Sequence, residues 1–550
     1  VIQPRKRIGD ILVESGLISK AQLEQALQEQ KGTGMKLGDL LIARGYITEQ
    51  QKIEVLEFQL GIPHVQLHRQ KIDEKVIQMV PEAIVKKHTL LPLRIENGKL
   101  IVAMSDPLDY YAIDDLRLLT NFQIEPVIAT NEELNRAINR YYSLRDTVDD
   151  VMRDLPQEMA ESDIQDENAP VVRLVNQILM SAVQLGASDI HIDPGENTVK
   201  IRFRIDGILR TEREFPYHIH PVLTARLKIM GNLNIAEKRL PQDGRCEFEV
   251  NHRKIDIRIS TLPTIHGEKT VLRILDVQHA KKSIEQLGFS DANRERFVRA
   301  ISAAYGMVLI TGPTGSGKTT TLYSALSRLN SEEVNIITVE DPVEYQLEGI
   351  NQVQVNAVTG LTFASGLRSI LRQDPNIVMV GEIRDLETAE IATRAALTGH
   401  LVLSTLHTND AASAITRLID MGIEPFLVAS SVLAVVAQRL VRRICPECAR
   451  EVTLTAEEQH MLQRFNLSVD HLFKGAGCGN CGNTGYRGRI AIHEVLTLDT
   501  RLREMVTERR SDAEYRKYAQ SQGFIPMIQD GLSKAAQGFT TLSEVLRVTM

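Results

Sequence analysis

The 550-residue sequence has no apolar run approaching the ~18 residues that a membrane-spanning helix needs, and no signal-peptide pattern opens it. A cytoplasmic location follows as an expectation, with any membrane contact made through a partner. A basic surplus is also lacking. The 64 Lys and Arg stand against 71 Asp and Glu, a net charge of −7, which argues against gripping nucleic acid as the main work. Cysteine is scarce, at five, yet four of the five fall into two C-x-x-C pairs. In a cytosolic chain that pattern points to metal before disulfides. The first residue is Val1 rather than Met, so the native start is expected upstream. What is present, 43% apolar and 25% charged residues, is the composition of a globular protein, and the length suits roughly three to four domains.

The chain opens by repeating itself. RIGDILVESGLISKAQLEQALQEQ (7–30) and KLGDLLIARGYITEQQKIEVLEFQ (36–59) align at an offset of 29, sharing Gly9/Gly38, Leu12/Leu41, Gly16/Gly45, Leu27/Leu56 and Gln30/Gln59. Each copy reads as a short helix stopped by a glycine, then a second helix started by a capping box, Ser19 with Gln22 and Thr48 with Gln51. Residues 61–143 alternate short strands and helices, a small α/β domain. The acidic stretch 144–169 reads as a linker. Residues 170–280 form a second α/β domain, in which IRFRIDGIL alternates Ile201, Phe203 and Ile205 with Arg202, Arg204 and Asp206. From 281 to 550, strands alternate with amphipathic helices, which implies a mostly parallel sheet, with a cysteine segment at 445–489 and a helical tail.

GPTGSGKTTT (312–321) follows the apolar strand Met307–Ile310 and opens a helix, the setting a P-loop requires. Gly312, Pro313, Thr314, Gly315, Ser316 and Gly317 supply a loop whose backbone N–H groups close around phosphate. Lys318 places a cation on the β- and γ-phosphates, and Thr319, followed by Thr320, offers a hydroxyl to Mg2+. Further on, NIVMVGEIRD ends a buried apolar strand in Glu382, placed to orient or deprotonate the attacking water, with Gly381 where an acid is usual. ITVEDPVEY adds Glu340, Asp341 and Glu344 at a strand end, against the plain alternative of a solvated acidic loop. HLVLSTLHTNDA adds Thr405, His407, Thr408 and Asn409, a polar cluster able to sense the γ-phosphate.

Together these four stretches resemble the Walker A, Asp box, Walker B and His box of the secretion and type IV pilus ATPase superfamily. GASDIHIDP (186–194), RLPQDGR and IHGEKTVLRIL (239–275) resemble its second N-terminal domain, PAS-like in fold. The resemblance implies a RecA-like P-loop ATPase working as a homohexamer, with ATP bound between neighbouring subunits and arginines of the second N-terminal domain reaching the phosphates. Arg202, Arg204 and Arg210 are the candidates. It implies a motor peripheral to the inner membrane, acting through a platform protein to drive type IV pilus assembly. Type II secretion is the alternative, and nucleic-acid translocation a less favoured one.

The repeat resembles the paired motif of the MshEN-type cyclic di-GMP-binding domain, through Arg7, Gly9, Gly16, Gln30, Gly38, Gly45 and Gln59. Lys36 departs from it where an Arg is usual, and Lys52 stands where the first copy has Leu23. A small helical bundle that docks on a partner remains the other reading. Cys445, Cys448, Cys478 and Cys481, the pairs 29 residues apart, suit a tetrahedral structural Zn2+, with a redox pair as the alternative.

Overall fold

The computed structural model describes residues 8–33, 37–67, 72–77, 79–142, 169–250, 253–275, 282–465, 467 and 469–549. Arg7, Lys36 and, apart from Ala169, the acidic linker lie outside the described residues. The chain divides into two compact units: Val1–Ser181 with Gly477–Thr484, and Ala182–Ala476 with Gly485–Met550.

In the first unit, each copy of the repeat is a pair of helices, Ile8–Glu14 with Lys20–Thr33 and Leu37–Ala43 with Glu49–Leu60. Both capping boxes form: Ser19 N–H donates to Gln22 Oε1 at 2.8 Å, and Thr48 N–H to Gln51 Oε1 at 2.8 Å. Ile11, Leu12, Ile18, Leu40, Leu41 and Ile47 make the shared core. The glycines near the start of each copy are packing sites. A Cβ on Gly9 would stand 2.7 Å from Leu23 Cδ1, and one on Gly38 would stand 3.2 Å from Lys52 Cδ, so the two helices of each pair meet where the side chain is missing. The following segment is a three-stranded sheet, Leu90–Glu96, Lys99–Met104 and Gln123–Ile128, with helices Tyr110–Thr120 and Asn131–Tyr141.

The second unit holds two larger sheets. One has six antiparallel strands in the order Ile208–Pro216, Thr198–Ile205, Ala187–Pro194, Gly267–Leu275, Arg253–Thr264, Gln242–Val250, with helix Ile219–Met230 beside it. The other has seven strands in the order Asn351–Gln354, Ile336–Glu340, Ile377–Val380, Leu401–Leu406, Gly306–Thr311, Val432–Ile444, Tyr486–Thr497, all parallel except the last. Its central strands GMVLIT, IVMV and LVLSTL are buried end to end because helices cover both faces. The period of two divides them between two cores. Met307 and Leu309 pack with Val378, Val380 and Val402, whereas Val308 and Ile310 pack with Leu322, Ala325 and Leu326 of the helix that follows the P-loop.

Candidate active site

The P-loop leaves the strand Gly306–Thr311 at the centre of the sheet and enters helix Lys318–Leu329. Gly312, at φ +152°, accepts no substitute: a Cβ there would lie 2.5 Å from Gln438 O and 2.7 Å from Ser316 Oγ. Pro313, Thr314 and Gly315 form the exposed lip, while Gly317, Lys318, Thr319 and Thr320 are half-buried. The Lys318 ammonium donates to the carbonyls of Gly312 at 2.8 Å and Pro313 at 3.2 Å. Burial lowers its pKa and Glu382 opposes that shift. Ser316 Oγ is buried with no hydrogen-bond partner. A loop of backbone donors with a side-chain hydroxyl to spare, one lysine and a helix N-terminus fits the phosphates of a nucleotide. Thr319 is the residue whose hydroxyl would hold Mg2+.

The loop takes its shape from a residue that motif reading passed over. Gln438, buried on strand Val432–Ile444, donates to Ser316 O at 2.7 Å and accepts from Thr321 Oγ1 at 2.7 Å. The signal was a lone amide in the run VLAVVAQRLV.

Glu382 leaves the strand Ile377–Val380, which is separated from the P-loop strand by Leu401–Leu406. The intervening strand brings the His box between them, with Val380, Ser404 and Leu309 level across the sheet. The Glu382 side chain is 14% exposed, ion-paired with Arg384, and 3.2 Å from His407 Nε2. Burial alone would raise its pKa, but Arg384 and His407 outweigh burial and hold the carboxyl below its ordinary value. Arg384, two residues on and leaving the strand in the same direction, was readable from GEIRD. Gly381 sits in a tight place: its N–H donates to Val339 O at 2.8 Å, its carbonyl accepts from Thr405 Oγ1 at 2.8 Å, and a Cβ would lie 3.4 Å from Phe363. Thr408 joins the P-loop strand through Thr311, its Oγ1 2.8 Å from Thr311 Oγ1.

The Asp-box acids are differently engaged. Glu340 is buried, and its carboxylate accepts from Tyr323 OH at 2.5 Å, Thr338 Oγ1 at 2.6 Å and Gln352 Nε2 at 3.1 Å. Glu344 is half-buried, 3.7 Å from Arg258 Nη2, which donates to Val343 O at 3.1 Å. Within the chain, Arg258 of the six-stranded sheet therefore reaches the ATPase segment. Arg202 pairs with Asp193 at 2.6 Å and Arg204 with Asp189 at 3.5 Å, both inside their own sheet, and Arg210 lies on the adjacent strand, half-buried. Strand alternation alone could not show that central-strand aspartates claim the first two.

The four sulfurs of Cys445, Cys448, Cys478 and Cys481 are buried and lie within 4.8 Å of one another. Cys478 and Cys481 Sγ are 3.7 Å apart, too far for a disulfide. That spacing matches the ~3.8 Å edge of a tetrahedron built on Zn–S bonds of ~2.3 Å, so the residues present fit zinc. Cys246 stands apart, half-buried, its thiol pushed up to about 11 by burial.

In the repeat, Leu12 and Leu41 are core, whereas Leu27 is 42% exposed. Gly16 and Gly45 share φ +71° with open space where a side chain would be, and Gln30 and Gln59 are half-buried. No helix among the described residues is long and apolar enough to cross a membrane.

Residues 164–547 match the family described as Type II/IV secretion system protein, and residues 60–148 match the MshEN domain, a stretch that begins where the repeat ends. The Type IV pilus assembly ATPase PilB of Myxococcus xanthus is 45% identical over 98% of this chain and 98% of its own length. Type II secretion system protein E of Xanthomonas campestris pv. campestris is 42% identical over 99% and 98%. Among solved structures, the ATPase DotB of Legionella pneumophila covers 72% of this chain with 98% of its own, at 22% identity and a TM-score of 0.51, a likeness of fold.

One bound zinc per chain is expected from metal analysis of the purified protein. Structural zinc contributes ~10–16 kcal/mol in small domains, so chelation or Cys478→Ser should speed hydrogen exchange across 445–489 and leave the seven-stranded sheet protected. Well under one zinc, with the clustered thiols all titratable, overturns the assignment.

Proposed function

The chain belongs to the Type II/IV secretion system family and is a P-loop ATPase; from that premise we propose that it works as a homohexameric motor for type IV pilus assembly. In this reading it is cytoplasmic, peripheral to the inner membrane through a platform protein, and binds no nucleic acid. The observation that carries the motor reading is the grouping of Glu382, Arg384 and His407 at the carboxyl end of the sheet that also delivers Lys318. Pilus assembly is favoured by the Myxococcus relative, matched along nearly its whole length. Service to a type II secretion system is the second reading, favoured by the Xanthomonas relative.

The proposed chemistry follows from the charges. P-loop N–H groups and Lys318 bind the β- and γ-phosphates, and Mg2+ on Thr319 would neutralise charge there. Glu382, kept ionised by its neighbours, orients the attacking water and accepts its proton. His407, half exposed beside Glu382, faces the γ-phosphate. Glu340 spends its carboxylate on Tyr323, Thr338 and Gln352 and so positions the Asp box. Glu344 is held by Arg258. Arg202, Arg204 and Arg210 are assigned to a neighbouring subunit's phosphates. The six-stranded antiparallel sheet is read as PAS-like.

The repeat and the MshEN domain are read together as a cyclic di-GMP site, in which Arg7 pairs with guanine, Gln30 and Gln59 hydrogen-bond, Leu27 covers a base, and the open turns at Gly16 and Gly45 admit phosphate. Gly9 and Gly38 act by bringing the helices together.

Lys318→Ala should lose ATP binding, whereas Glu382→Gln should bind ATP normally and fail to hydrolyse it. Near wild-type turnover by Glu382→Gln would falsify the base assignment. Arg384→Ala removes a partner that holds the Glu382 carboxyl low, so its pKa rises. Because activity needs the carboxylate and is lost as pH falls through that pKa, the acidic limb of the kcat/KM profile should move to higher pH. Calorimetry on the full chain should show saturable cyclic di-GMP binding that is weakened by Arg7→Ala and unaffected by Lys318→Ala. Absence of heat up to about a hundred micromolar ligand, a weak-binding bound, would leave the repeat as a docking bundle.

A further inference from the structure

A second set of contacts lies on the face of the sheet edge opposite the P-loop. Glu494, on strand Tyr486–Thr497, is buried, and its two carboxylate oxygens accept from backbone N–H groups, Ala411 at 2.7 Å and Met527 at 3.0 Å. Ala411 is the first residue of helix Ala411–Asp420, and Met527 is the first of helix Met527–Ala536. One carboxyl group thus closes two helix N-termini; burial raises its pKa, and the N–H groups of Ala411 and Met527 oppose that shift.

Ala411 stands four residues after His407, and each residue between is also held. Thr408 N–H donates to Thr311 Oγ1 at 2.8 Å. Asn409 accepts from Arg439 Nη2, at 3.0 Å through its carbonyl and 3.2 Å through Oδ1. The Asp410 carboxylate pairs with Arg516 at 2.5 Å and caps Ser413 N–H at 2.9 Å. In the antiparallel ladder Ala437 faces Glu494 and Arg439 faces Ile492, so Glu494 and Arg439 share one face, and Gln438 and His493 take the other. The His box is therefore fastened from the C-terminal segment by Glu494, Arg439 and Arg516.

We propose that Glu494 is a positioning residue for ATP hydrolysis. Through Ala411 N–H it fixes the loop that sets His407 against Glu382, and by sharing its carboxylate with Met527 it ties that loop to helix Met527–Ala536. This rests on the role given to His407 above. Glu494 touches neither nucleotide nor water.

Steady-state ATPase kinetics of the full-length protein test this with four variants. Glu494→Gln keeps the size of the side chain but turns an amide NH2 toward one of the two N–H donors. A fall of tenfold or more in kcat is expected, with KM for ATP within twofold and faster hydrogen exchange at 407–420 and 527–536. Glu544→Gln is the control: this carboxylate is also buried, but it is held by Arg442 at 2.7 Å and Arg547 at 2.8 Å rather than by the His-box helix, and kcat should stay within twofold. If His407→Ala leaves kcat unchanged, the His407 reading fails and takes this inference with it. If His407→Ala lowers kcat and Glu494→Gln does not, or if Glu494→Gln loses kcat only in step with its folded fraction, the inference alone is overturned. Should Glu494→Gln fail to fold, Arg439→Lys loosens the same loop through Asn409. A lowered kcat at constant KM then supports the inference and an unchanged kcat overturns it.

Discussion

The grip of Gln438 on the P-loop is the interaction on which the nucleotide site depends. A loop built to surround phosphate must present N–H groups outward and so has few internal bonds with which to hold itself. Gln438 supplies them from the neighbouring strand, donating to Ser316 O and accepting from Thr321 Oγ1 in a place closed to water. A net hydrogen bond contributes about 1 kcal/mol, but leaving either partner buried and unpaired costs about 1–3 kcal/mol. The geometry is thus over-determined before any nucleotide arrives, and Gly312 is confined to glycine by the backbone carbonyl of the residue whose side chain anchors the loop.

Much of this was legible in the sequence because the P-loop, the acidic strand end and the cysteine pairs carry their chemistry in local spacing. The central strands were legible because burial on both faces demands continuous apolar runs. What escaped was whatever depends on strand order. Glu382 and the P-loop look adjacent in a list of motifs, yet Leu401–Leu406 runs between their strands, so His407 rather than Lys318 is the close neighbour of Glu382. The same limit hid Arg258. Arg202 and Arg204 alternate along one strand, and only the positions of Asp189 and Asp193 on the neighbouring strand show that both are occupied at home.

The repeat teaches the reverse lesson. Its glycines invited a ligand explanation from composition alone, while Gly9 and Gly38 are accounted for by the approach of Leu23 and Lys52. The same element can keep both uses, since Gly16 and Gly45 stand in open turns. The capping boxes, by contrast, were fully readable, being contacts between residues three apart.

The cysteine ribbon is an excursion between the last two strands of the sheet: Ile444 leads directly into Cys445, and Cys445 N–H continues the ladder to Gly485 O at 2.9 Å before Tyr486 begins the return. A long antiparallel pair can slide along itself, and its weakest point is the open end. Here that end is closed. A slip of one residue by Tyr486–Thr497 would exchange the faces of His493 and Glu494, taking Glu494 away from the two backbone N–H groups it caps. The ribbon therefore works as a register lock, a clasp that keeps each side chain of the edge facing the machinery it serves.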